Sequence, residues 1–79
     1  MSPTVFHFRN YRFFFFSREE PRIHVHVRSP DGEAKFWLEP EISLADHRGF
    51  SAKELKILEK IVRDQKNEIQ QHWHKHFGI

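Results

Sequence analysis

The sequence predicts an α+β fold, in which a small antiparallel sheet of four strands is followed by one long C-terminal helix packed on one face of the sheet. Two patterns predict this fold. Short segments of alternating apolar and polar residues, separated by turn residues, run from about residue 4 to 44, and apolar residues at helical spacing run from about 51 to 77. A chain of 79 residues has room for one domain, which we expect to span residues 1–79.

Four segments have the composition of strands. The third, Ile23–Arg28, alternates strictly, and the turn Ser29–Gly32 joins it to the fourth because proline presets φ and glycine accepts a positive φ. Pro40 ends the fourth strand, and Glu41–Leu44 is left open as a fifth, short strand at the sheet edge. The four predicted strands are Thr4–Arg9, Arg12–Ser17, Ile23–Arg28 and Glu33–Leu38.

The second strand is unusual because phenylalanine occupies four successive positions, Phe13–Phe16. Successive side chains of a strand point to opposite faces of the sheet, so large rings lie on both faces. Each such ring buries on the order of 150–250 Å². We therefore expect that neither face of the sheet is wholly exposed to water.

The C-terminal helix begins with a capping box, in which Ser51 and Glu54 each satisfy a backbone N–H group of the other. An apolar stripe follows at Leu55, Leu58, Val62, Ile69 and Trp73. One straight helix over residues 51–77 would be ~40 Å long, whereas strands of five or six residues span only ~17–20 Å. We therefore expect the helix end that carries Trp73 to overhang the sheet. A second subunit would cover that end, and a bend or a frayed tail is the open alternative.

The composition excludes several classes of protein. There is no cysteine, which excludes disulfides and thiolate metal sites. The net charge of +2 is small for a nucleic-acid-binding protein. The first residues lack a signal-peptide pattern, and the longest apolar run, Phe13–Phe16, is far shorter than the ~20 residues that span a bilayer. We expect a cytoplasmic protein with no membrane partner.

One face of the predicted sheet carries groups that can bind a partner. The apolar side chains of the third and fourth strands should meet the helix, so the opposite face collects imidazoles, cations and an indole ring. Together with the helix end, the predicted partner-binding residues are Arg12, His24, His26, Arg28, Lys35, Trp37 and Trp73. Such a face fits a protein interface anchored by aromatic side chains. Nucleic-acid binding, and a small sheet that simply tolerates external rings, are the open alternatives.

Histidine supplies the candidate chemistry of this sequence. His24 and His26 lie two residues apart on one strand face, which suits two ligands of one divalent ion, and His72 and His76 have the i, i+4 spacing of ligands on a helix. No carboxylate has the offset of a known metal motif, so we expect no cofactor and no metal, with a divalent ion at His24 and His26 as the minor alternative. The same two residues are the catalytic candidates if the protein is an enzyme, because a ribonuclease can work with histidine and a phosphate-binding cation. We expect that it is not an enzyme.

Several of these segments occur together in a known family. Tyr11–Phe16, the Pro-x-x-His-x-His-Val segment Pro21–Val27, Ala34–Glu39 and Trp73–Phe77 resemble a small bacterial family, the domain-of-unknown-function family numbered 4160, over nearly the whole chain. The family has no assigned activity. Its members are usually free-standing small proteins encoded beside a second small protein, so the resemblance implies a protein partner in a two-gene unit of the toxin–antitoxin kind.

These observations predict a small protein-interaction module. It would act with a cognate small protein or as a homodimer. The alternative is a His-dependent ribonuclease or nucleic-acid-binding protein that uses the His24 and His26 face of the sheet.

Overall fold

The fold is a five-stranded antiparallel sheet followed by two helices, seen in a computed structural model that describes residues 4–16 and 21–78. The strands follow each other in chain order across the sheet, so each pairs with the next one along the chain. They are β1 (Thr4–Phe8), β2 (Tyr11–Phe14), β3 (His24–Ser29), β4 (Gly32–Trp37) and β5 (Ser43–Arg48), and the helices are α1 (Ala52–Asp64) and α2 (Lys66–Phe77). The predicted α+β class and the antiparallel sheet are confirmed.

The fifth strand differs from the short edge piece expected at Glu41–Leu44. The chain bends over residues 39–41, and pairing with β4 begins only at Ser43 and continues to Arg48. Every side chain of β5 after Ser43 is exposed. A strand with no buried face has no apolar alternation, which is why the sequence pattern did not reveal its full length. The predicted second strand, Arg12–Ser17, is shorter in the structure, where β2 ends at Phe14, and Ser17 itself lies outside the described residues.

A close approach of two backbones fixes the point where β5 leaves the sheet. Gly49 adopts a left-handed conformation with φ of 86°, and a Cβ atom there would collide with the backbone of Asp31 and Gly32. Only glycine combines this conformation with so little space. The turn between β3 and β4 is therefore packed directly against the connection that leads to the first helix.

The expectation of one long helix is wrong, because the helix breaks at Gln65. This residue has φ of −104° and ψ of 17°, outside the helical range. Its backbone still joins the two helices, since its N–H group donates to the Ile61 carbonyl and its own carbonyl accepts from the Ile69 N–H group, each over 2.9 Å. The six residues 63–68 between the apolar positions Val62 and Ile69 are all polar, so a straight helix would press a polar turn against the core.

The break returns the second helix to the core, so the predicted overhang is absent. Ile69 and Trp73 are 0% and 1% exposed, and the bend that was left open as an alternative is the arrangement found. Both helices contribute to one cluster with the sheet face that carries Phe13, Val25 and Phe36. The remaining buried members are Phe15, Ile23, Val27, Ala34, Leu38, Phe50, Leu58 and Val62.

The predicted cap at the start of α1 is confirmed. The Glu54 N–H group donates to the Ser51 hydroxyl over 3.1 Å, and the Ser51 N–H group donates to the Glu54 carboxylate over 3.2 Å. The Tyr11 hydroxyl donates to the same carboxylate over 3.0 Å, which ties β2 to the helix. The hydrogen bond from the Ser51 backbone, followed by that from Tyr11, lowers the pKa of Glu54. Burial, reinforced by the bond to Glu54, raises the pKa of Tyr11.

Gly78 ends α2 in the left-handed conformation that glycine favours at this position, with φ of 70°. Across the described residues, neither α1 nor α2 has the length and apolar character needed to cross a membrane.

Candidate functional site

The sheet face opposite the helices carries most of the predicted partner-binding residues. Strand pairing places Phe14 opposite His26, His26 opposite Lys35, and Lys35 opposite Asp46. Because directly opposed residues share a face, one surface collects side chains from β2, β3, β4 and β5. We call this surface the outer face; its residues are Arg12, Phe14, Phe16, Arg22, His26, Arg28, Glu33, Lys35, Trp37, Asp46 and Arg48.

The outer face is concave at its centre. A groove of about 410 Å³ lies there, within the size range of protein pockets that hold a ligand or an anchoring side chain. Phe14 and Phe16 line one side of the groove, and Asp46 and Arg48 line the other, with His26 and Lys35 between them.

Two phenylalanines of the Phe-rich strand lie on the outer face, as the strand periodicity predicts. Phe14 is only 2% exposed, and its ring packs against the His26 imidazole at a centroid distance of 5.5 Å. The guanidinium groups of Arg12 and Arg28 lie 4.6 and 5.6 Å from the centroid of the same ring. Phe16 lies beside it and is 38% exposed. The expectation that neither sheet face is wholly exposed to water is therefore confirmed.

Trp37 is a second aromatic centre on this face. The Arg22 guanidinium lies 4.1 Å and the Lys35 ammonium 4.3 Å from the centroid of a ring of its indole. Arg22 is held in place because its Nε donates to the Glu39 carbonyl over 2.8 Å. Cations at these distances are attracted to the electron-rich face of an indole ring. Cations of the same chain thus lie over the rings of both Phe14 and Trp37.

Glu33 joins two arginines at the edge of the groove. Its Oε2 lies 3.2 Å from Nη2 of Arg28, and its Oε1 lies 2.6 Å from Nη2 of Arg48. The side chain of Glu33 is 38% exposed, against 55% for Arg28 and 82% for Arg48. Ion pairs this exposed contribute only ~0.2–1 kcal/mol each. Both ion pairs are therefore weak, and both arginines are accessible to solvent at the edge of the groove.

The charge of the outer face is positive. Its described residues include five cationic side chains, Arg12, Arg22, Arg28, Lys35 and Arg48, against the two carboxylates Glu33 and Asp46, and these add up to a net charge of +3. The whole chain carries only +2, so the positive charge is concentrated on this surface. Sequence reasoning omitted Glu33, although it lies in a predicted strand on the same face as Lys35, and it missed Asp46 and Arg48 because the full length of β5 was not predicted.

Two predicted partner-binding residues, His24 and Trp73, are buried inside the chain. They are 0% and 1% exposed, and their rings pack together at a centroid distance of 5.1 Å. His24 also contacts Trp37 of the outer face at 5.3 Å, and its Nδ1 forms a 2.7 Å hydrogen bond with the Arg22 carbonyl. His24 therefore connects the outer face to α2 around the end of the sheet. The five other predicted residues, Arg12, His26, Arg28, Lys35 and Trp37, lie together on the outer face.

The histidines do not assemble into a metal centre within the part of the chain that the structure describes. The rings of His24 and His26 are neighbours, with centroids 5.0 Å apart. His72 lies on the exposed surface of α2, 3.9 Å from the Glu68 carboxylate. No three His, Cys, Asp or Glu side chains among residues 4–16 and 21–78 are grouped so that they could hold a metal ion.

Comparison with known proteins identifies a family, but no individual protein or structure that this chain is similar to. No curated protein and no solved structure matches the chain. One family model, described as a domain of unknown function (DUF4160), matches residues 10–74 of the 79. The matched range includes β2, β3, β4, β5 and α1, and therefore the whole outer face. The chain belongs to the DUF4160 family.

Proposed function

We propose that this protein is an interaction module whose outer face binds a cognate small protein. The observation that carries the proposal is a concave sheet face that combines a buried phenylalanine, an exposed phenylalanine and a cation-flanked tryptophan, Phe14, Phe16 and Trp37. No helix or strand among the described residues covers this face.

The chemistry of the outer face is that of a protein interface. The free face of an antiparallel sheet is normally polar and fully hydrated. Here Phe14 and Trp37 lie among arginines, and aromatic residues and arginine are the types enriched at the energetic centres of interfaces. The exposed charged side chains around them form the polar rim that such interfaces have.

The observations favour a cognate small protein over a second copy of this chain as the partner of the outer face. The argument for a homodimer from the helix end has lost its basis, since Ile69 and Trp73 are buried within the chain. Self-association through two outer faces would also bring two surfaces of +3 together, which is electrostatically unfavourable. The resemblance to proteins encoded beside a second small protein supports a toxin–antitoxin-like pair.

Nucleic-acid binding is the second candidate, and the positive charge of the outer face favours it. Two observations weigh against it. Base stacking needs open aromatic faces, whereas cations already lie over Phe14 and Trp37. A ribonuclease that used both candidate histidines would need two accessible imidazoles, whereas His24 is fully buried and only His26 lines the groove.

The test is complex formation with the product of the neighbouring gene, measured by co-purification and analytical ultracentrifugation. Trp37→Ala and Lys35→Glu should each weaken the complex at least tenfold, because both residues lie in the outer face. Lys56→Glu is the matched control, since it makes the same change of charge on the exposed side of α1. A complex that resists both outer-face substitutions, a homodimer alone, or binding of RNA alone would contradict the proposal.

A further inference from the structure

Arg28 and Arg48 together form a site for one carboxylate on the outer face, and Glu33 of the same chain occupies it. The two oxygens of one carboxylate meet Nη2 of Arg28 and Nη2 of Arg48, one on each side. The three residues come from β3, β4 and β5, and cross-strand pairing holds Glu33 between the arginines, opposite Arg28 on one side and Arg48 on the other. The two guanidinium groups therefore converge on a position of the size and charge of one carboxylate.

This carboxylate site borders the aromatic groove. Arg28 contributes both to the ion pair with Glu33 and to the cations over Phe14, and Arg48 lines the groove beside Asp46. A segment that fills the groove with an apolar side chain can thus bring an acidic side chain to the arginines at the same time. The net charge of +3 attracts such a segment and repels a basic one.

From this geometry, and resting on the proposed function, we infer that the partner binds through an acidic segment with apolar anchors, and that its carboxylates replace Glu33 between Arg28 and Arg48. Glu33 then acts as an intramolecular competitor. It keeps the two arginines oriented in the free protein and leaves them when the partner arrives. This exchange needs little free energy, because each of the two exposed ion pairs contributes little to stability.

A polypeptide fits these observations better than a nucleic acid does. Glu33 and Asp46 interrupt the cations at the groove, so its positive charge does not form the continuous track that the backbone of a nucleic acid needs. An acidic peptide can place its carboxylates at intervals, with apolar side chains between them. Alternating side chains of an extended peptide suit a surface in which cations and aromatic rings alternate.

The decisive variant is Glu33→Gln, which removes the competitor and keeps the size of the side chain. We expect it to bind a fluorescently labelled peptide of alternating Glu and Leu about threefold to tenfold more tightly than the wild type, in a fluorescence-anisotropy titration at low salt. Glu59→Gln is the matched control. It removes a carboxylate from an equally exposed pair, Arg63 and Glu59, 3.0 Å apart on α1, and should leave the affinity unchanged.

Loss of an arginine should have the opposite effect. Arg48→Gln should weaken binding of the same peptide at least threefold, and Glu33→Gln should regain little affinity in that background, since one of the two guanidinium groups is missing. Arg48 is 82% exposed, so its replacement should leave the unfolding midpoint unchanged. Raising the salt concentration should reduce the affinity of the wild type for the peptide, and it should not increase the affinity of any variant.

The inference would be overturned if neither the wild type nor Glu33→Gln bound the peptide, or if Glu33→Gln bound it no more tightly than the wild type. It would also be overturned if Glu59→Gln raised the affinity for the peptide as much as Glu33→Gln did, or if the wild type bound single-stranded RNA more tightly than the peptide. These results differ from failure of the proposed function. If Trp37→Ala abolishes the cognate complex while Glu33→Gln weakens it, the outer face is the interface but the partner does not use carboxylates to displace Glu33.

Discussion

Truncation of Trp73 to alanine should cost a large part of the stability of this protein. The side chain is 1% exposed, and its ring meets Phe15 at 5.2 Å, Phe77 at 4.4 Å and His24 at 5.1 Å between centroids. Removal of a buried tryptophan costs about 3–5 kcal/mol through lost burial and the cavity left behind. A chain of 79 residues has a total stability of only about 4–12 kcal/mol.

The loss should be visible as a fall of the unfolding midpoint by about 12–40 °C, since 1 kcal/mol shifts a domain of this size by about 4–8 °C. Urea and thermal unfolding followed by far-UV circular dichroism measure both quantities. Ile57→Ala is the control, because Ile57 is apolar but 39% exposed on α1, and it should change stability by less than about 1 kcal/mol. A cost below about 1 kcal/mol for Trp73→Ala would show that α2 does not pack on the sheet after the break at Gln65.

Three further predictions concern residues at or near the connection between β5 and α1. Glu54 has a lowered pKa in the folded protein, so its contribution to stability is present above its ordinary pKa of 4.5 and is lost as the pH falls through the folded pKa. The difference in unfolding free energy between the wild type and Glu54→Gln should therefore shrink as the pH falls over that range. A constant difference would contradict the hydrogen bonds assigned to Glu54. Tyr11 has the opposite linkage, because its raised pKa means that stability is lost as the pH rises above 10.0, a loss that Tyr11→Phe should lack. Gly49→Ala should destabilise the protein by at least about 1–2 kcal/mol more than Gly78→Ala in urea unfolding. Both glycines have a positive φ, but only at Gly49 would an added Cβ atom collide with neighbouring backbone. Equal losses of stability for the two variants would contradict the close approach of Gly49 to Asp31.

The parts of the fold that were predicted from the sequence have strong local signals. Ile23–Arg28 alternates strictly, and the structure has a strand there that is displaced by only one residue, at His24–Ser29. The capping box of Ser51 and Glu54 needs only residues three apart, and it is formed as expected. Such signals are local, so no knowledge of the tertiary structure is needed to interpret them.

The parts that were not predicted depend on long-range packing. The break at Gln65 follows from a polar turn inside an otherwise continuous apolar stripe, and only the position of the sheet decides whether such a turn bends the helix. The exposed strand β5 has no apolar alternation, and with it the sequence interpretation missed Asp46 and Arg48. The burial of His24 arises because α2 reaches around the end of the sheet to place Trp73 beside it.

The candidate site was predicted more completely than the helices. Two-residue periodicity placed His26, Arg28, Lys35 and Trp37 on one face, and they lie together there. The face of Arg12 is decided by the register between β2 and β3, which puts it opposite Arg28. The groove itself and the ion pairs of Glu33 could not be predicted, because they need the register between β4 and β5. Sequence periodicity therefore indicated the surface, and strand register supplied its chemistry.

The most direct test of the central claim is to map the binding site of the cognate small protein on this chain by amide NMR. We expect the largest signal changes at outer-face residues of β2, β3, β4 and β5, including Lys35 and Arg48, and at Phe16 just after β2. The exposed side of α1 around Lys56 should remain unchanged. Changes confined to α1 and α2, with the outer face unaffected at saturation, would contradict the proposal that the outer face binds the partner.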